Sequence, residues 1–459
     1  MTTMKAPDQG VAIRMYRQGH GDCFLMAFPR SGGGDPGYVV IDCGYKPGSQ
    51  TFLHDKSIGD IVDHIGEATD HRIDLMIVTH EHQDHCNGIW KKNSPYFQDF
   101  TIQEAWFAWT EDPNDELAKE LRAKHKDQLL SLLHARKSLA LAVGSDDSAV
   151  HRLDNLLSLE MGDTDTGSEA EMFAAATDPT KSTNKQAMKL VKDKAEKKRG
   201  VKYFSPGDPA ADVFGTKGVR AFVLGPPRAE DLLTDEDPVG EEGFPGDHSI
   251  THGLTFAAAA MAGSAGENSR KSPFRSSYCV PADQAMAFMA RGRDDQIAPF
   301  FSDRYGSGPD PDGADNQKEV ATNAKWRRID ADWLYTAENI ALQLNRGINN
   351  TSLVLAFELP TSKKILLFVG DAQRGNWISW SSKKNEWKDG ETTVTARDLL
   401  ARTVLYKCGH HGSHNATLNG TTEDNYANLS WMGHGVAANE FTSMITAVNE
   451  WAMTKNDPP

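Results

Sequence analysis

Three histidines and one aspartate fall within six consecutive residues, as His80-x-His82-x-Asp84-His85. Imidazole and carboxylate groups are the ligands expected for zinc, manganese or iron. The group follows an apolar, partly β-branched run at 73–79, which predicts a strand. Residues two apart in an extended chain point the same way, so His80 and His82 can bind one metal ion. Asp84 and His85 follow where the chain turns into a helix and can bind a second ion.

Other residues that could do chemistry also lie at the ends of predicted strands. Loops at strand ends are where a rigid sheet presents functional side chains. The segments are Gly19-His20-Gly21-Asp22 between strands 11–16 and 23–28, Asp42-Cys43-Gly44 after strand 38–42, Asn349-Asn350-Thr351-Ser352 at the start of strand 352–359, Gly370-Asp371 after strand 364–369, and Lys407-Cys408-Gly409-His410-His411-Gly412-Ser413 at the end of strand 404–408. A further strand is predicted at 219–224.

The His-x-His-x-Asp-His pattern resembles the metallo-β-lactamase superfamily. Together with the other segments, above all His-His-Gly-Ser after a strand, it resembles the branch that contains the hydrolase domain of the bacterial competence DNA-uptake protein. Phosphodiester-cleaving relatives such as phosphorylcholine esterases belong to the same branch. The resemblance covers residues 11–110, 213–227 and 349–415.

This resemblance implies an α/β fold, a four-layer αββα sandwich with two divalent metal ions, zinc or manganese, at one edge between the sheets. It implies that Asp371 bridges the two ions and that Asp42 orients a ligand loop instead of binding metal. The family's Gly-His motif is missing before Gly370, so the third ligand of the first ion must come from elsewhere. The candidates are His410 and His411. We expect His411 to be the ligand and His410 to face the scissile phosphate or the leaving group.

The second ion requires a late histidine in this family. His434 is one candidate, and a residue beyond Pro459 is the other, because the family's ligand follows a late strand that corresponds to 444–448 here. An incomplete second site is the remaining alternative.

Three further residues are candidates for substrate contacts: His20, Asn350 and Ser413. A turn residue that only makes hydrogen bonds is an equal interpretation of His20. Weaker patterns are His248 with His252, which favour a solvated loop over a metal site, and the basic residues around Trp326, which favour a solvated surface over a nucleotide contact.

Composition narrows the classes of function. The net charge of −15 gives no general attraction to nucleic acid, although a local basic patch such as the predicted helix at 185–199 could supply one. The N-terminus lacks the apolar core of a signal peptide, and no run of about 18 apolar residues predicts a membrane span. Five cysteines, an odd number without a Cys-x-x-Cys pair, favour a reduced cytoplasmic protein.

The chain is predicted to be one domain, 1–459, with its core at about 11–110, 213–227 and 349–459. A helical insertion at about 111–212 includes a long helix at 115–142 capped by Asn114, and a loop-rich insertion spans about 228–348. We expect the insertions to cover the metal cleft, to select the substrate and to offer a surface to a protein partner or a second copy of the chain.

The ligand pattern predicts a metal-dependent hydrolase, and the resemblance implies a phosphodiesterase or nuclease whose partner is a phosphodiester, including nucleic acid. A metal-bound hydroxide would attack, Asp84 would orient it as well as bind metal, and His410 would assist the leaving oxygen. Two alternatives stay open: hydrolysis of a thioester, lactone or β-lactam at the same site, and a non-catalytic module that binds a partner.

Overall fold

A computed structural model of the chain describes residues 3–49, 57–90, 96–143, 145, 148–162, 168–235, 238, 242, 299, 347–380, 386–413, 415–420, 432–433 and 435–448. The protein is of mixed α/β type and divides into two compact units. One unit comprises Met1–Leu130, Asn155–Ile250 and Gln343–Pro459, and the other comprises Ser131–Asp154 and Thr251–Leu342. Both sheets described below belong to the first unit.

The first sheet has six strands in sequence order: β1 (Ala12–Met15), β2 (Cys23–Phe28), β3 (Gly37–Cys43), β4 (Arg72–Ile77), β5 (Thr101–Ala108) and β6 (Val201–Phe204). The predictions for β1 to β4 are confirmed to within two residues at each end, whereas β5 and β6 were not predicted. Strands β3 and β4 are parallel, so the segments that follow them emerge at the same edge of the sheet.

The second sheet has the order β14-β13-β10-β9-β8-β7. Its strands are β7 (Ala211–Asp212), β8 (Arg220–Gly225), β9 (Val354–Glu358), β10 (Ile365–Phe368), β13 (Thr403–Lys407) and β14 (Thr442–Met444). Strands β10, β13 and β14 are mutually parallel. The last predicted strand, 444–448, was misplaced, because the observed strand ends at Met444. A separate hairpin is formed by β11 (Glu386–Asp389) and β12 (Thr392–Thr395).

The helices in the described part of the chain are α1 (Ile58–Thr69), α2 (Gln83–Cys86), α3 (Glu116–Val143), α4 (Ser148–Met161), α5 (Glu169–Thr177), α6 (Thr183–Glu196), α7 (Glu230–Leu233), α8 (Arg374–Trp380) and α9 (Ala396–Ala401). The predicted long helix and basic helix are confirmed as α3 and α6. The cap of α3 was wrong by one residue, because Asp115 Oδ1 accepts the Ala118 N–H at 3.0 Å. None of these helices combines the length and apolar character needed to cross a membrane.

Three of the apolar clusters among the described residues pack against the two sheets. One cluster combines residues from both sheets, and in it the rings of Phe24 and Phe368 lie 5.3 Å apart. A second cluster joins the other face of the first sheet to α1 and α6. A third joins the other face of the second sheet to α8 and α9, with Trp377 and Trp380 fully or almost fully buried. Each sheet therefore packs against the other sheet on one face and against helices on its second face.

A buried carboxylate with three cationic partners stabilises the second sheet. Glu358 lies 2.6 Å from Arg220, 2.8 Å from Arg402 and 3.1 Å from Lys363. Burial alone would raise its pKa, but the hydrogen bonds from these three side chains outweigh it and hold the pKa below its usual value. A group of this kind stabilises the fold above its unfolded pKa, and the contribution is lost as the pH falls through the lowered folded pKa.

We therefore expect Glu358→Gln to reduce the free energy of unfolding by about 1–3 kcal/mol near neutral pH. Urea denaturation measures this, with Glu391→Gln in an exposed turn as the control. The difference from the wild-type protein should shrink in acid. A difference that is independent of pH would contradict this account of Glu358.

Candidate metal centre

Four predicted ligands converge in the structure. The ligand atoms of Asp84, His85, Asp371 and His411 all lie within 4.8 Å of one another, and all four side chains are buried. His411 Nε2 is 3.2 Å from Asp84 Oδ2 and 3.3 Å from Asp371 Oδ2. His85 Nε2 is 3.1 Å from the same oxygen of Asp371. Two imidazoles and two carboxylates at these separations match the donor set of a zinc or manganese site.

Parallel strands explain why residues distant in sequence meet here. Asp371 follows β10 and His411 follows β13, and these strands are parallel neighbours. Asp84 and His85 lie in the short helix α2, which begins soon after β4. The Leu353 N–H donates to the Thr79 carbonyl at 2.9 Å, which ties the segment before His80 to the start of β9 in the second sheet.

Asp42 orients this cluster through hydrogen bonds. Its carboxylate accepts the Thr79 N–H at 2.8 Å and the Thr79 hydroxyl at 2.7 Å, and it lies 2.9 Å from His85 Nδ1. Because a carboxylate accepts the Nδ1 proton, His85 Nε2 is left to face Asp371. His411 is oriented in the same way. Its Nδ1 lies 3.0 Å from the Thr446 hydroxyl, which donates to Asp22 at 2.5 Å.

One oxygen of the cluster lacks a partner. Asp84 Oδ1 is buried and has no hydrogen-bond partner among the described residues, while His85 Nε2 meets Asp371 Oδ2 at 3.1 Å. Buried polar atoms are nearly always paired, so the unpaired carboxylate oxygen indicates that another group binds there. The four side chains therefore fit a divalent cation.

His80 and His82 lie on one side of this cluster. His80 Nε2 is 3.1 Å from His82 Nδ1, and the ring centroids of His80 and His85 are 4.1 Å apart. His80 Nδ1 lies 3.2 Å from the hydroxyl of Ser352, which also accepts the Asp371 N–H at 2.9 Å. Ser352, just before β9, therefore contributes a hydroxyl that positions His80 and Asp371.

The charges around the cluster favour a cation. Lys407 Nζ lies 2.5 Å from Asp22 and 3.3 Å from Asp371, and Lys46 Nζ lies 3.6 Å from Asp84. With Asp42, four carboxylates therefore face two ammonium groups and the two histidines of the cluster. When both imidazoles are neutral, as metal ligands must be, a divalent ion would balance the remaining negative charge.

The same carboxylates shift the pKa values of the histidines. Burial alone would lower the pKa of His85, but Asp371, Asp42 and Asp22 outweigh it and hold the pKa well above its usual value. For His411, Asp371 and Asp84 likewise outweigh burial, and its pKa is also raised. His80 differs, because burial and the two neighbouring histidines hold its pKa well below the usual value.

Three residues at this site have a left-handed backbone. Asp42, His410 and His411 have φ angles of 54°, 42° and 54°, in the region that residues other than glycine rarely adopt. Each such residue costs on the order of 1–3 kcal/mol, and these conformations persist only where the surrounding structure holds them. Consecutive left-handed residues also separate the two histidine side chains, whose ring centroids are 6.2 Å apart.

His411 therefore joins the metal cluster, whereas His410 lies beside it. His410 is held by Asn349 at 3.3 Å, by Gln373 at 3.3 Å and by Asn415 at 3.4 Å, and burial lowers its pKa to about 3. His20 is close to the cluster, since its ring centroid is 4.5 Å from that of His411. Burial lowers the pKa of His20 to about 2, so both of these histidines are neutral.

The other two candidates for substrate contact lie in the protein's own hydrogen-bond network. Asn350 is fully buried, and its amide donates to the Asp235 carbonyl and accepts the Gln373 N–H, both at 2.9 Å. In this arrangement it holds the loop after β10. Ser413 is half-buried, and its N–H donates to the His410 carbonyl at 2.9 Å.

Several residues of the site were not predicted. Asp22 and Lys407 stand inside the motifs quoted from the sequence but were given no role. Lys46, Thr446 and Glu160 lie outside those motifs, and no sequence signal indicates them. His434, His248, His252 and the basic residues around Trp326 lie outside the described residues, as does Cys279. The other cysteines, Cys23, Cys43, Cys86 and Cys408, are free thiols.

The whole chain was compared with protein families, curated proteins and solved structures. No family model, curated protein or solved structure matches this chain. The side chains themselves and the motifs that contain them indicate the metal centre.

Proposed function

We propose that this protein is a metal-dependent hydrolase of the metallo-β-lactamase type that cleaves phosphodiesters. One observation carries the proposal: Asp84 and His411 are 327 positions apart in the chain, yet they meet at 3.2 Å beside Asp371 and His85. Two face-to-face sheets with helices on their outer faces support the four-layer sandwich that the motifs imply.

Asp84, His85, Asp371 and His411 would hold one zinc or manganese ion. His80 and His82, which meet at 3.1 Å beside this cluster, would supply ligands to a second ion. Divalent ions supply Lewis acidity toward a phosphoryl oxygen and make coordinated water more acidic. Asp84 Oδ1, which has no partner among the described residues, would accept a hydrogen bond from the attacking water. The neutral ring of His410, fixed beside His411 by its three amide neighbours, would lie next to the leaving oxygen.

Lys46 supports an anionic substrate. Its ammonium group is partly exposed and lies 3.6 Å from Asp84, where it also lowers the pKa of that carboxylate. We expect Lys46→Met to raise KM for a phosphodiester about 10–100-fold with a small change in kcat, as expected for the loss of a charge-assisted contact worth about 1.5–3 kcal/mol. Steady-state kinetics measure this, with Lys5→Met, an exposed N-terminal residue, as control. An unchanged KM would show that Lys46 does not contact the substrate.

Hydrolysis of bis(p-nitrophenyl) phosphate tests the proposal. Chelation followed by dialysis should remove the activity, and added Zn²⁺ or Mn²⁺ should restore it. The same preparation is then assayed on single- and double-stranded DNA, on RNA, on a thioester, on a lactone and on nitrocefin. If only the thioester, the lactone or nitrocefin is cleaved, the protein is a hydrolase of that substrate class and not a phosphodiesterase. A metal-loaded protein inactive on the whole panel would favour the partner-binding alternative.

A further inference from the structure

A buried carboxylate from outside the motifs contacts His82, a predicted metal ligand beside the cluster. Glu160 lies near the end of α4, in the range predicted as the helical insertion, and only 4% of its side chain is exposed. Its Oε1 lies 3.1 Å from His82 Nε2, and its Oε2 lies 3.2 Å from His125 Nε2. Each carboxylate oxygen is thus within hydrogen-bond distance of an imidazole nitrogen.

The partners of this carboxylate point to an orienting role. Burying an ionised carboxyl group costs on the order of several kcal/mol unless charged or hydrogen-bonding partners offset it. Among the described residues, the ion-pair partners of Glu160 are two histidines, which carry charge only when protonated. One of them, His82, is a predicted metal ligand, so the carboxylate can act on the metal centre through it.

The two nitrogens of His82 face different groups. Nε2 faces Glu160, while Nδ1 lies 3.1 Å from His80 Nε2 on the side of the metal cluster. An ionised carboxylate can only accept a hydrogen bond, so Nε2 carries the proton. Nδ1 then carries the lone pair instead of a proton, which is the form of imidazole that binds a metal ion.

The insertion is attached to the ligand segment next to this contact. The side-chain amide of Asn184, in α6, donates to the Glu81 carbonyl at 3.0 Å and to the Leu159 carbonyl at 2.8 Å. The Ser182 hydroxyl donates to the Met161 carbonyl at 2.9 Å. These bonds fix the end of α4 against the residue between the two histidines, so Glu160 has a defined position relative to His82.

We propose that Glu160, braced by His125, is a positioning residue that holds His82 as its Nε2–H tautomer with Nδ1 directed at the metal centre. This inference rests on the proposed metal centre and adds to it a role for the helical insertion. Carboxylate–histidine–metal arrangements of this kind contribute about 10–100-fold to metal affinity.

Metal affinity is the first test. Co²⁺ is titrated into metal-free protein, and binding is followed by visible absorption in the absence of any substrate. Glu160→Ala should weaken Co²⁺ binding about 10–100-fold, whereas Glu160→Gln, which keeps an acceptor oxygen, should lose less. Asn155→Ala, an exposed position on the same helix, is the matched control. Equal affinity in wild-type protein, Glu160→Ala and Glu160→Gln would overturn the proposal.

The tautomer itself is the second test, because loss of packing alone would not change it. Long-range ¹H–¹⁵N correlation spectra of histidine-labelled protein identify the protonated nitrogen, and His82→Asn assigns the signal. We expect the Nε2–H form in the wild-type protein and in Glu160→Gln, and a mixture of tautomers in Glu160→Ala. A wild-type His82 protonated at Nδ1 would overturn the proposal, even if Glu160→Ala fails to fold.

These measurements are independent of hydrolysis. A protein that binds Co²⁺ and depends on Glu160, but cleaves no phosphodiester, supports the positioning role while the proposed activity fails. If Glu160→Ala keeps full hydrolysis and unchanged Co²⁺ affinity, the proposed activity is supported. The positioning role of Glu160 is then overturned.

Discussion

Asp371→Asn should strongly reduce metal-dependent hydrolysis while leaving the protein folded. The two oxygens of Asp371 have different neighbours: Oδ1 lies 3.3 Å from Lys407, and Oδ2 lies 3.1 Å from His85 and 3.3 Å from His411. An amide removes the negative charge and replaces one acceptor by a donor. It would place an N–H group against either the ammonium of Lys407 or the metal position.

The expected loss in kcat/KM is on the order of 10²–10³-fold or more, the range seen when one preorganised electrostatic group is removed from an active site. Equilibrium dialysis with Zn²⁺ should show weaker binding in the same variant. Asp35→Asn, in an exposed turn, controls for a general loss of acidic charge. Circular dichroism verifies the fold. An Asp371→Asn protein with full affinity and full activity would show that the cluster is not the catalytic centre.

Much of this centre could be predicted because its signals are local. Histidine and aspartate residues at alternate positions directly after an apolar strand identify His80, His82 and their neighbours. No tertiary information is needed for this prediction. Asp371 was predicted because Gly-Asp follows a clear apolar run at the end of a strand. Parallel pairing of β10 with β13 then brings Asp371 and His411 to the same edge, which is a property of sheets and not of the particular residues.

The sequence left the choice between His410 and His411 open, and the reason is conformational. Both residues adopt left-handed backbone angles, which turn one ring into the cluster and the other toward Asn349. Left-handed conformations of residues other than glycine are stabilised by the surrounding structure, so local preference does not indicate them. Here the Ser413 N–H to His410 carbonyl bond and the His410 N–H to Gly370 carbonyl bond hold the turn.

Glu160 and strand β6 could not be predicted for a different reason. Glu160 stands in a helix whose pattern of charged and apolar residues is ordinary, and its role depends on contact with His82, which is 78 positions away. Strand β6 has four residues and lies at the sheet edge, where partial exposure weakens the alternation of apolar and polar side chains. Tertiary contacts decide both features, and local sequence carries too little information about them.

Gly44→Ala should disrupt the metal centre although the residue binds nothing. A Cβ atom at Gly44 would lie 2.4 Å from the Asp84 carbonyl carbon and 2.4 Å from the His85 nitrogen. These are backbone atoms of α2 and cannot move away as a flexible side chain could. The Gly44 N–H also donates to the Asp22 carbonyl at 2.9 Å, so the glycine is held from its other side. The clash must therefore displace α2 together with Asp84 and His85.

Overpacking of this kind costs about 1–3 kcal/mol of stability, occasionally more. A displacement near 1 Å at a reactive centre lowers activity about 10²-fold. Gly347→Ala is the matched control, because its Cβ would meet nothing within 4 Å and its φ needs no glycine. Zn²⁺ affinity and phosphodiester cleavage should fall in Gly44→Ala and stay unchanged in Gly347→Ala. If Gly44→Ala bound Zn²⁺ as tightly as the wild-type protein, close packing of this turn on α2 would not be what positions Asp84 and His85.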